Sequence, residues 1–414
     1  MNPSVSPVQA RISIVGGGPA GLHAAEVAAG LGAHVTLHDA KPSVGRKFLV
    51  AGKGGLNLTN AEDIELFAHR YSGTDQPDHL WKRFLAEFPP EQLRTWARGL
   101  GVETFAAKSG RVYLKDAKAA PLLRRWVERL RELGVVFKMN HRLTGIYPGD
   151  TFTLAFSDGS TAVADAVILA LGGASWPRTG SDGGWVELFR KLGVSTTSLG
   201  AANCGWEHPW SAEILAQAEG KPLKNVSVRA GGKTVNGELL LTSYGLEGGP
   251  IYALGQKLRE MPSPAIVIDF KPAHSREQLV AKMESVRRNF AAEARVRWKL
   301  GDAAHAILSR HEWKDTDSLA REAKNCLLPL RGPRPIEEAI STAGGVCWSE
   351  LTTSLMVKKL PGLFVAGEMI DWEAPTGGYL LQGCFATGNM AARGAAAFTG
   401  ISNSASHSSD TESL

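Results

Sequence analysis

The chain has 414 residues, enough for two or three domains with a large core, and its 46 glycines suit an α/β protein with many close backbone approaches. Its four cysteines form no CxxC pair, so we expect neither a metal site nor a disulfide scaffold. The net charge of +5 permits a polyanionic partner without requiring one, and no apolar run approaches the roughly 18 residues of a membrane span, so a cytoplasmic protein is expected.

The first elements along the chain are the most informative. Residues 1–10 are expected to be a loose arm. A short apolar strand, 12–15, then enters the glycine turn GGGPAG at 16–21, and an alanine-rich helix leaves it. A second strand ends at Asp39, about 20 residues beyond the glycines. This order of strand, turn, helix, strand and acid is typical of a dinucleotide-binding βαβ unit. The alternative is an ordinary βαβ turn that is rich in glycine.

Each part of this motif has a physical role. Gly16 allows the tight turn, Gly18 lets the backbone approach a pyrophosphate, and Gly21 lets the helix pack closely on the strand. The start of the helix offers free N–H groups and its positive dipole end to phosphates. Asp39 is placed to accept hydrogen bonds from ribose hydroxyls.

The next segment, 44–60, is rich in glycine and cations. Either it passes close to a bound nucleotide or it is a flexible basic loop. The side chains that can neutralise phosphate or flavin charge, or form hydrogen bonds there, are Arg46, Lys47, Lys53, Asn57 and Asn60.

Periodicity predicts the remaining elements. Up to residue 190 they are helices within 62–100, strands at 102–105 and 111–114, a helix at 121–134, a strand at 135–138, and a meander over 151–164 that runs into an apolar strand at 167–173. Beyond it they are strands at 226–230, 233–236, 238–242 and 265–270, a helix at 275–300, further helix to about 325, a strand at 362–368, a closing helix at 385–399 and a serine-rich tail, 401–414, expected to be disordered.

Glycine clusters follow three predicted parallel strands, at 16–21, at 172–173, and at Gly367 with 377–378. Ligands of open α/β sheets bind at the carboxyl ends of the strands, so three such ends suit one long dinucleotide. The turn at 375–382 leads into the last helix, whose N–H groups and dipole can face the polar edge of a flavin ring. The alternative is a plain junction between a loop and a helix.

Six segments in this order resemble the YhiN/BaiN-like family of NAD(P)/FAD-dependent oxidoreductases, and the similarity covers about residues 11–398. The segments are GGGPAG (16–21), GRKFLVAGKGGLNLTN (45–60), SGRVYLKD (109–116), VILALGGASWPRTGSDG (167–183), LLLTSYGLEGGP (239–250) and GLFVAGEMIDWEAPTGGYLLQG (362–383). The resemblance implies an α/β fold: a Rossmann-like FAD-binding domain of the two-dinucleotide-fold flavoprotein type, from 1–190 and 341–400, with an inserted β-rich and helical substrate domain at 191–340.

The resemblance also implies an FAD cofactor, with NAD(P)H as a transient electron donor. The residues expected to contact FAD are Gly16, Gly18, Pro19, Ala20, Gly21, Asp39, Arg46, Lys47, Gly54, Asn57, Gly172, Gly367, Glu368, Gly378 and Gln382. Tyr244 and Tyr379 are the candidate proton donors, and each is alternatively a structural hydrogen-bond partner.

The chain departs from the family at two places. It has Gly55-Leu56-Asn57 where Arg-Cys-Asn is common, and Leu380 where the family commonly has asparagine. These departures indicate a divergent branch that lacks one possible acid near the flavin.

Three functions are therefore weighed. The first is hydride transfer between NAD(P)H and an unsaturated small molecule through the flavin. The second is reduction of uracil to dihydrouridine in ribosomal RNA, which the cations of helix 275–301 favour and the missing cysteine disfavours. The third is a flavin-binding electron carrier. The oligomeric state is left open.

Overall fold

A computed structural model describes residues 9–52, 54–116 and 118–401. Most of the predicted arm, Lys53 and the tail beyond residue 401 lie outside these residues. The chain forms two compact units. Unit 1 comprises Met1–Gly200 and Thr342–Leu414, and unit 2 comprises Ala201–Ser341.

The elements follow one another in a βα order at both ends of the chain. The first part of unit 1 contains β1 (Arg11–Val15), α1 (Pro19–Gly30), β2 (His34–Asp39), α2 (Arg46–Ala51), β3 (Asn57–Asn60), α3 (Ile64–Ala68), α4 (Leu80–Glu87), α5 (Pro90–Gly99), β4 (Thr104–Ala106), β5 (Arg111–Leu114), α6 (Ala119–Glu132), β6 (Val136–Met139), β7 (Leu143–Tyr147), β8 (Phe152–Phe156), β9 (Thr161–Ala164), β10 (Ala166–Leu169), α7 (Trp185–Lys191) and β11 (Thr196–Ala202). The chain then continues through β12 (Trp206–Glu207), α8 (Ala212–Ala218), β13 (Pro222–Ala230), β14 (Lys233–Thr242), β15 (Gly245–Glu247), α9 (Gly249–Glu260), β16 (Ala265–Asp269), α10 (Arg276–Ala281), α11 (Phe290–Arg297), α12 (Asp302–Leu308), α13 (Thr316–Lys324) and β17 (Cys326–Pro329). It returns to unit 1 through β18 (Ser341–Val346), β19 (Leu363–Val365) and α14 (Tyr379–Phe398).

Unit 1 is built on a five-stranded parallel sheet in the order β19-β10-β1-β2-β6. Three of its strands, β1, β10 and β19, are mostly apolar and buried on both faces, as parallel strands covered by helices must be. Two antiparallel three-stranded sheets, β3-β5-β4 and β7-β8-β9, accompany it. The predicted Rossmann-type architecture is confirmed, and the carboxyl ends of β1, β10 and β19 lie side by side.

Helices α1 and α14 pack together because their contact faces carry small side chains. A Cβ on Gly388 of α14 would lie 2.5 Å from the carbonyl oxygen of Ala20, and Ala24 and Ala28 of α1 are fully buried. Small residues allow two backbones to approach this closely. The start of the first helix is therefore held against the last one.

Unit 2 is built on a six-stranded sheet in the order β12-β15-β14-β13-β16-β17, in which all the pairings given by register are antiparallel. Helices α8 to α13 accompany this sheet, and a hydrophobic core of its own fills the unit. The sequence prediction placed the inserted domain at 191–340.

Two predicted helices were wrong in their bounds. The helix predicted at 275–300 is interrupted, because Asn289 adopts a left-handed conformation (φ 53°) and Arg287 donates to the carbonyls of Glu284 and Val286. The closing helix begins at Tyr379 rather than 385, since Gly378 (φ 97°) forms its N-cap.

The segment 44–60, for which a flexible basic loop was the alternative interpretation, has regular secondary structure in its described residues. It contains α2 and β3, and β3 pairs with β5 some fifty residues later. The pattern of 44–60 has no clear period, so the partner strand is what decides its conformation.

Candidate functional site

The turn between β1 and α1 keeps the start of α1 open. Gly16 has φ +109°, and a Cβ there would lie 2.2 Å from the carbonyl oxygen of Ala170. A Cβ on Gly21 would lie 1.9 Å from the carbonyl oxygen of Gly16, whereas one on Gly18 would meet nothing within 4 Å. The two outer glycines are therefore required by the fold, and the middle one faces free space.

The first turn of α1 is suited to an anion. Gly18 is its N-cap and forms no side-chain cap, and the first turn contains no acidic residue. The leading N–H groups of a helix need an acceptor, and a phosphate group provides one. Pro19 and Ala20, the other two residues expected at the diphosphate, are the first two residues of α1.

Asp39 lies at the end of β2 and supports the glycine loop. Its carboxylate accepts the N–H of Gly17 at 2.7 Å and the N–H of Lys41 at 2.7 Å. Burial raises the pKa of the Asp39 carboxyl, while these two hydrogen bonds oppose the shift. Each oxygen retains a lone pair, so the predicted bond to a ribose hydroxyl is compatible with this arrangement.

A partly buried ion pair joins two segments that are far apart in sequence. Lys47 Nζ donates to Glu368 Oε2 at 2.7 Å and to Ser175 Oγ at 2.6 Å. Glu368 Oε1 accepts the N–H of Thr342 at 2.9 Å. The two charges that were expected to contact FAD separately therefore neutralise each other, and they tie α2 to the loops after β10 and β19.

Sequence reasoning missed two members of this network. Ser175 follows the glycine pair 172–173 at the end of β10, a position that could have drawn attention. Thr342 Oγ1 accepts the N–H groups of Ala174 at 2.9 Å and Ser175 at 3.2 Å, but no local motif marks it. Gly172, expected to contact FAD, has φ +71° in the same loop.

Arg46 has a donor without a partner. Its Nε is buried and makes no hydrogen bond within the described residues. Its only other polar contact there is a long one, 3.4 Å from NH1 to Ser43 Oγ. An orphaned charged donor beside an open glycine loop indicates a ligand that supplies the acceptor. Gly54, a further expected contact, faces free space as Gly18 does.

The turn before α14 is held by two asparagines of β3. In the amide orientation that satisfies both of its ends, Asn57 accepts the N–H of Gly378 at 3.1 Å. Asn60 donates to the carbonyl of Gly377 at 3.1 Å. A Cβ on Gly378 would lie 2.3 Å from the Thr59 backbone, so the turn requires glycine there. α14 also begins without a side-chain cap or an acid in its first turn.

Gln382 anchors α14 inside the protein. It is fully buried, accepts from Thr59 Oγ1 at 2.8 Å and donates to the Phe88 carbonyl at 2.7 Å. A contact between Gln382 and FAD would require these bonds to break. Gly367, in contrast, lies at the end of β19 with φ +76°, and a Cβ there would meet Ala20 at 2.8 Å.

The two candidate proton donors have different surroundings. The Tyr379 ring packs on Phe67 with centroids 4.8 Å apart and under Arg70 at 5.9 Å, and burial raises the pKa of its hydroxyl. Tyr244, in unit 2, bonds to Glu247 beneath the guanidinium of Arg334, and burial again raises its pKa. Both are therefore neutral phenols that can donate a proton.

The geometry fits FAD. Two uncapped helix starts, an open glycine loop and an orphaned arginine donor suit a long ligand with a diphosphate in its middle. Over residues 9–52, 54–116 and 118–401, no cluster of His, Cys, Asp and Glu could bind a metal ion. Within the same ranges, no helix has both the length and the apolar character that a bilayer crossing requires.

The family model described as HI0933-like protein Rossmann domain matches residues 10–394. The chain belongs to this family. The resemblance to the YhiN/BaiN-like family is thereby confirmed. The chain is an FAD-dependent oxidoreductase, as the sequence predicted.

Two curated relatives match nearly end to end. The chain is 26% identical to the 3-dehydro-bile acid Δ4,6-reductase of Clostridium scindens, over 93% of this chain and 99% of the relative. It is 24% identical to the ribosomal RNA dihydrouridine synthase of Escherichia coli strain K12, over 89% of this chain and 94% of the relative.

Among solved structures, the chain resembles the 3-ketosteroid-Δ4-(5α)-dehydrogenase from Rhodococcus jostii RHA1. The TM-score is 0.51 at 16% identity, with 95% of this chain and 98% of that chain covered. At this identity the likeness concerns the fold.

Proposed function

We propose that this protein reduces a carbon–carbon double bond conjugated to a carbonyl group in an apolar small molecule, using electrons from NAD(P)H. The observation that carries the proposal is the pair of uncapped helix starts, at α1 and α14, with an open glycine loop at the carboxyl ends of the parallel strands. FAD, when bound, accepts and donates hydride. The full-length relative named as a bile acid Δ4,6-reductase supports this substrate class.

The chain's own groups would bind and orient the parts of FAD. The N–H groups at the start of α1 and the orphaned donor of Arg46 bind the diphosphate. Asp39 binds the ribose, and the positive dipole end of α14 stabilises negative charge on a group bound at its first turn. The Lys47–Glu368 ion pair holds α2 against the loop after β19 and adds no net charge to the site.

The electron donor is proposed to bind transiently. The sequence contains one complete dinucleotide fingerprint, GGGPAG, which FAD would occupy when bound. NAD(P)H would then bind without a dinucleotide fold of its own and supply the electrons for the reduction. Kinetics in which one product leaves before the second substrate binds would support transient binding of NAD(P)H.

A ribosomal RNA substrate is the second candidate, because a relative with that activity covers most of the chain. Three of the seven cations that favoured it pair with carboxylates: Arg276 with Asp317 at 2.7 Å, Arg295 with Asp302 at 2.9 Å and Arg297 with Glu293 at 3.0 Å. The segment that carries them is divided into two short helices, α10 and α11, so it does not form one continuous helical face. Phosphate binding needs free cations, so the small-molecule proposal is favoured.

The test is anaerobic reduction of the purified protein with NADH or NADPH, followed by reoxidation with a steroid enone, a quinone, oxygen or ribosomal RNA. We expect rapid reduction, then reoxidation by the enone with formation of the saturated ketone. Reoxidation by oxygen or quinone alone would refute the proposal. A salt-dependent gel shift with ribosomal RNA, together with dihydrouridine formation, would establish the second candidate instead.

A further inference from the structure

The small sheet β3-β5-β4 has two different faces. Val112 and Leu114 of β5 are buried, with 0% and 1% exposure. Side chains alternate along a strand, so Arg111 and Tyr113 share the opposite face. Phe105 of β4 is the register partner of Tyr113, and their rings lie 6.0 Å apart.

This face adjoins the turn that starts α14. Arg111 Nε lies 3.7 Å from the position that a Cβ on Gly377 would occupy. Asn60, the register partner of Arg111, donates to the Gly377 carbonyl. Arg111 is thus held directly beside the uncapped start of α14.

Within residues 9–52, 54–116 and 118–401, no carboxylate neutralises the charge of Arg111. Its neighbour at the same turn, Arg70, pairs with Glu62 at 2.7 Å, whereas no carboxylate of the described residues forms an ion pair with Arg111. The Arg111 residue is partly buried. A planar cation in this setting matches a carboxylate, which accepts two parallel N–H bonds from it.

The aromatic side chains beside it are open to a ligand. Phe105 is 45% exposed, and Tyr113 is partly exposed. Two rings at the rim of a cationic site provide apolar contact area with little loss of rotamer freedom. Together, the three side chains suit a ligand with a flat apolar body and an anionic end.

We propose that Arg111 is the carboxylate anchor for the substrate, and that Phe105 and Tyr113 contact the substrate's apolar body. The preferred substrate is then an apolar enone that bears a carboxylic acid. This inference rests on the proposed function and narrows its substrate class.

The test uses two probes with the same steroid body, 3-oxo-4-cholenoic acid, which is an anion at neutral pH, and its uncharged methyl ester. Their binding to the FAD-loaded protein is measured by calorimetry, and turnover is measured separately. We expect the acid to bind more tightly than the ester. Arg111→Gln should weaken acid binding about 10- to 100-fold and leave ester binding unchanged, as expected for loss of a charged hydrogen-bonded pair.

Further variants separate charge from packing. Arg111→Lys should weaken acid binding less than Arg111→Gln, because the charge remains and the forked geometry is lost. Phe105→Ala should weaken acid and ester equally. Lys108→Gln, at an exposed cation of the same β4–β5 hairpin, is the matched control and should change neither.

Equal binding of acid and ester by the unaltered protein would overturn the assignment. Loss of FAD from Arg111→Gln on gel filtration, with the ratio of acid to ester binding unchanged, would overturn it too and would make Arg111 a cofactor contact. If the acid binds more tightly than the ester but the enone is not reduced, the proposed function is refuted and Arg111 remains an anion-binding residue. If the enone is reduced but acid and ester bind equally, the carboxylate anchor at Arg111 is refuted and the proposed function stands.

Discussion

His23 offers a test of how burial controls stability in the cofactor-binding helix α1. Its side chain is 3% exposed, and its ring lies 4.5 Å from Phe88 and 4.9 Å from Phe385. Both ring nitrogens are buried without a hydrogen-bond partner among the described residues. Burial, helped by the positive charge of Arg393, lowers the pKa of His23 from 6.5 to about 3.

The sign of the pH effect follows from proton linkage. Because the folded pKa is depressed, between pH 6.5 and 3 the unfolded chain binds a proton at His23 that the folded protein does not. Stability therefore falls as pH falls through this window. With 1.4 kcal/mol per pH unit as the limiting slope, the contribution lost between pH 7 and pH 5 is about 2 kcal/mol.

The variant His23→Leu removes the titrating group and retains an apolar side chain of similar size. We expect wild type to lose about 2 kcal/mol more unfolding free energy than His23→Leu between pH 7 and pH 5. Urea unfolding of the FAD-loaded proteins, followed by tryptophan fluorescence, measures this difference. His69→Leu, at an exposed histidine, should follow wild type. Equal losses in wild type and His23→Leu would refute the reasoning.

Three further predictions concern the cofactor domain. Gly18→Val should abolish FAD retention on gel filtration while circular dichroism of the FAD-free protein stays unchanged, because the space that it fills is free of protein atoms; a yellow variant would contradict this. Glu26→Gln should lower the free energy of unfolding by about 2 kcal/mol in urea titrations, since Arg129, at 2.9 Å, loses the charge of its partly buried partner; a change under about 1 kcal/mol would contradict it. Gly378→Ala should lower the free energy of unfolding by about 2 kcal/mol or more and lower the melting temperature, because φ is 97° and the new Cβ would meet the Thr59 backbone. An unchanged melting temperature would contradict this prediction.

Much of the parallel sheet was predictable, because apolar runs and local periodicity indicate its strands and its first helix. β1, β2 and β6 occur where the apolar runs placed them, and the glycine loop occurs between β1 and α1. Elements without a clear period were missed or misplaced. β3 depends on pairing with β5, and the start of α14 depends on Gly378 fitting against Thr59.

The candidate site shows the same division. Gly16, Gly18 and Gly21 were assigned roles that the local geometry supports, since φ angles and close backbone contacts are dictated by residue type within one turn. Gln382 was expected to face a ligand, and its bonds to Thr59 and Phe88 could not be foreseen.

By itself, the sequence determined the family, the βαβ start and the glycine turn, because these depend on neighbours within about twenty residues. The tertiary structure alone decided that Lys47 neutralises Glu368, 321 positions away, and that Arg111 lies beside the start of the last helix, next to Gly377. Pairing between distant side chains is selected by packing and by the cost of burying a charge, and neither leaves a trace in local pattern.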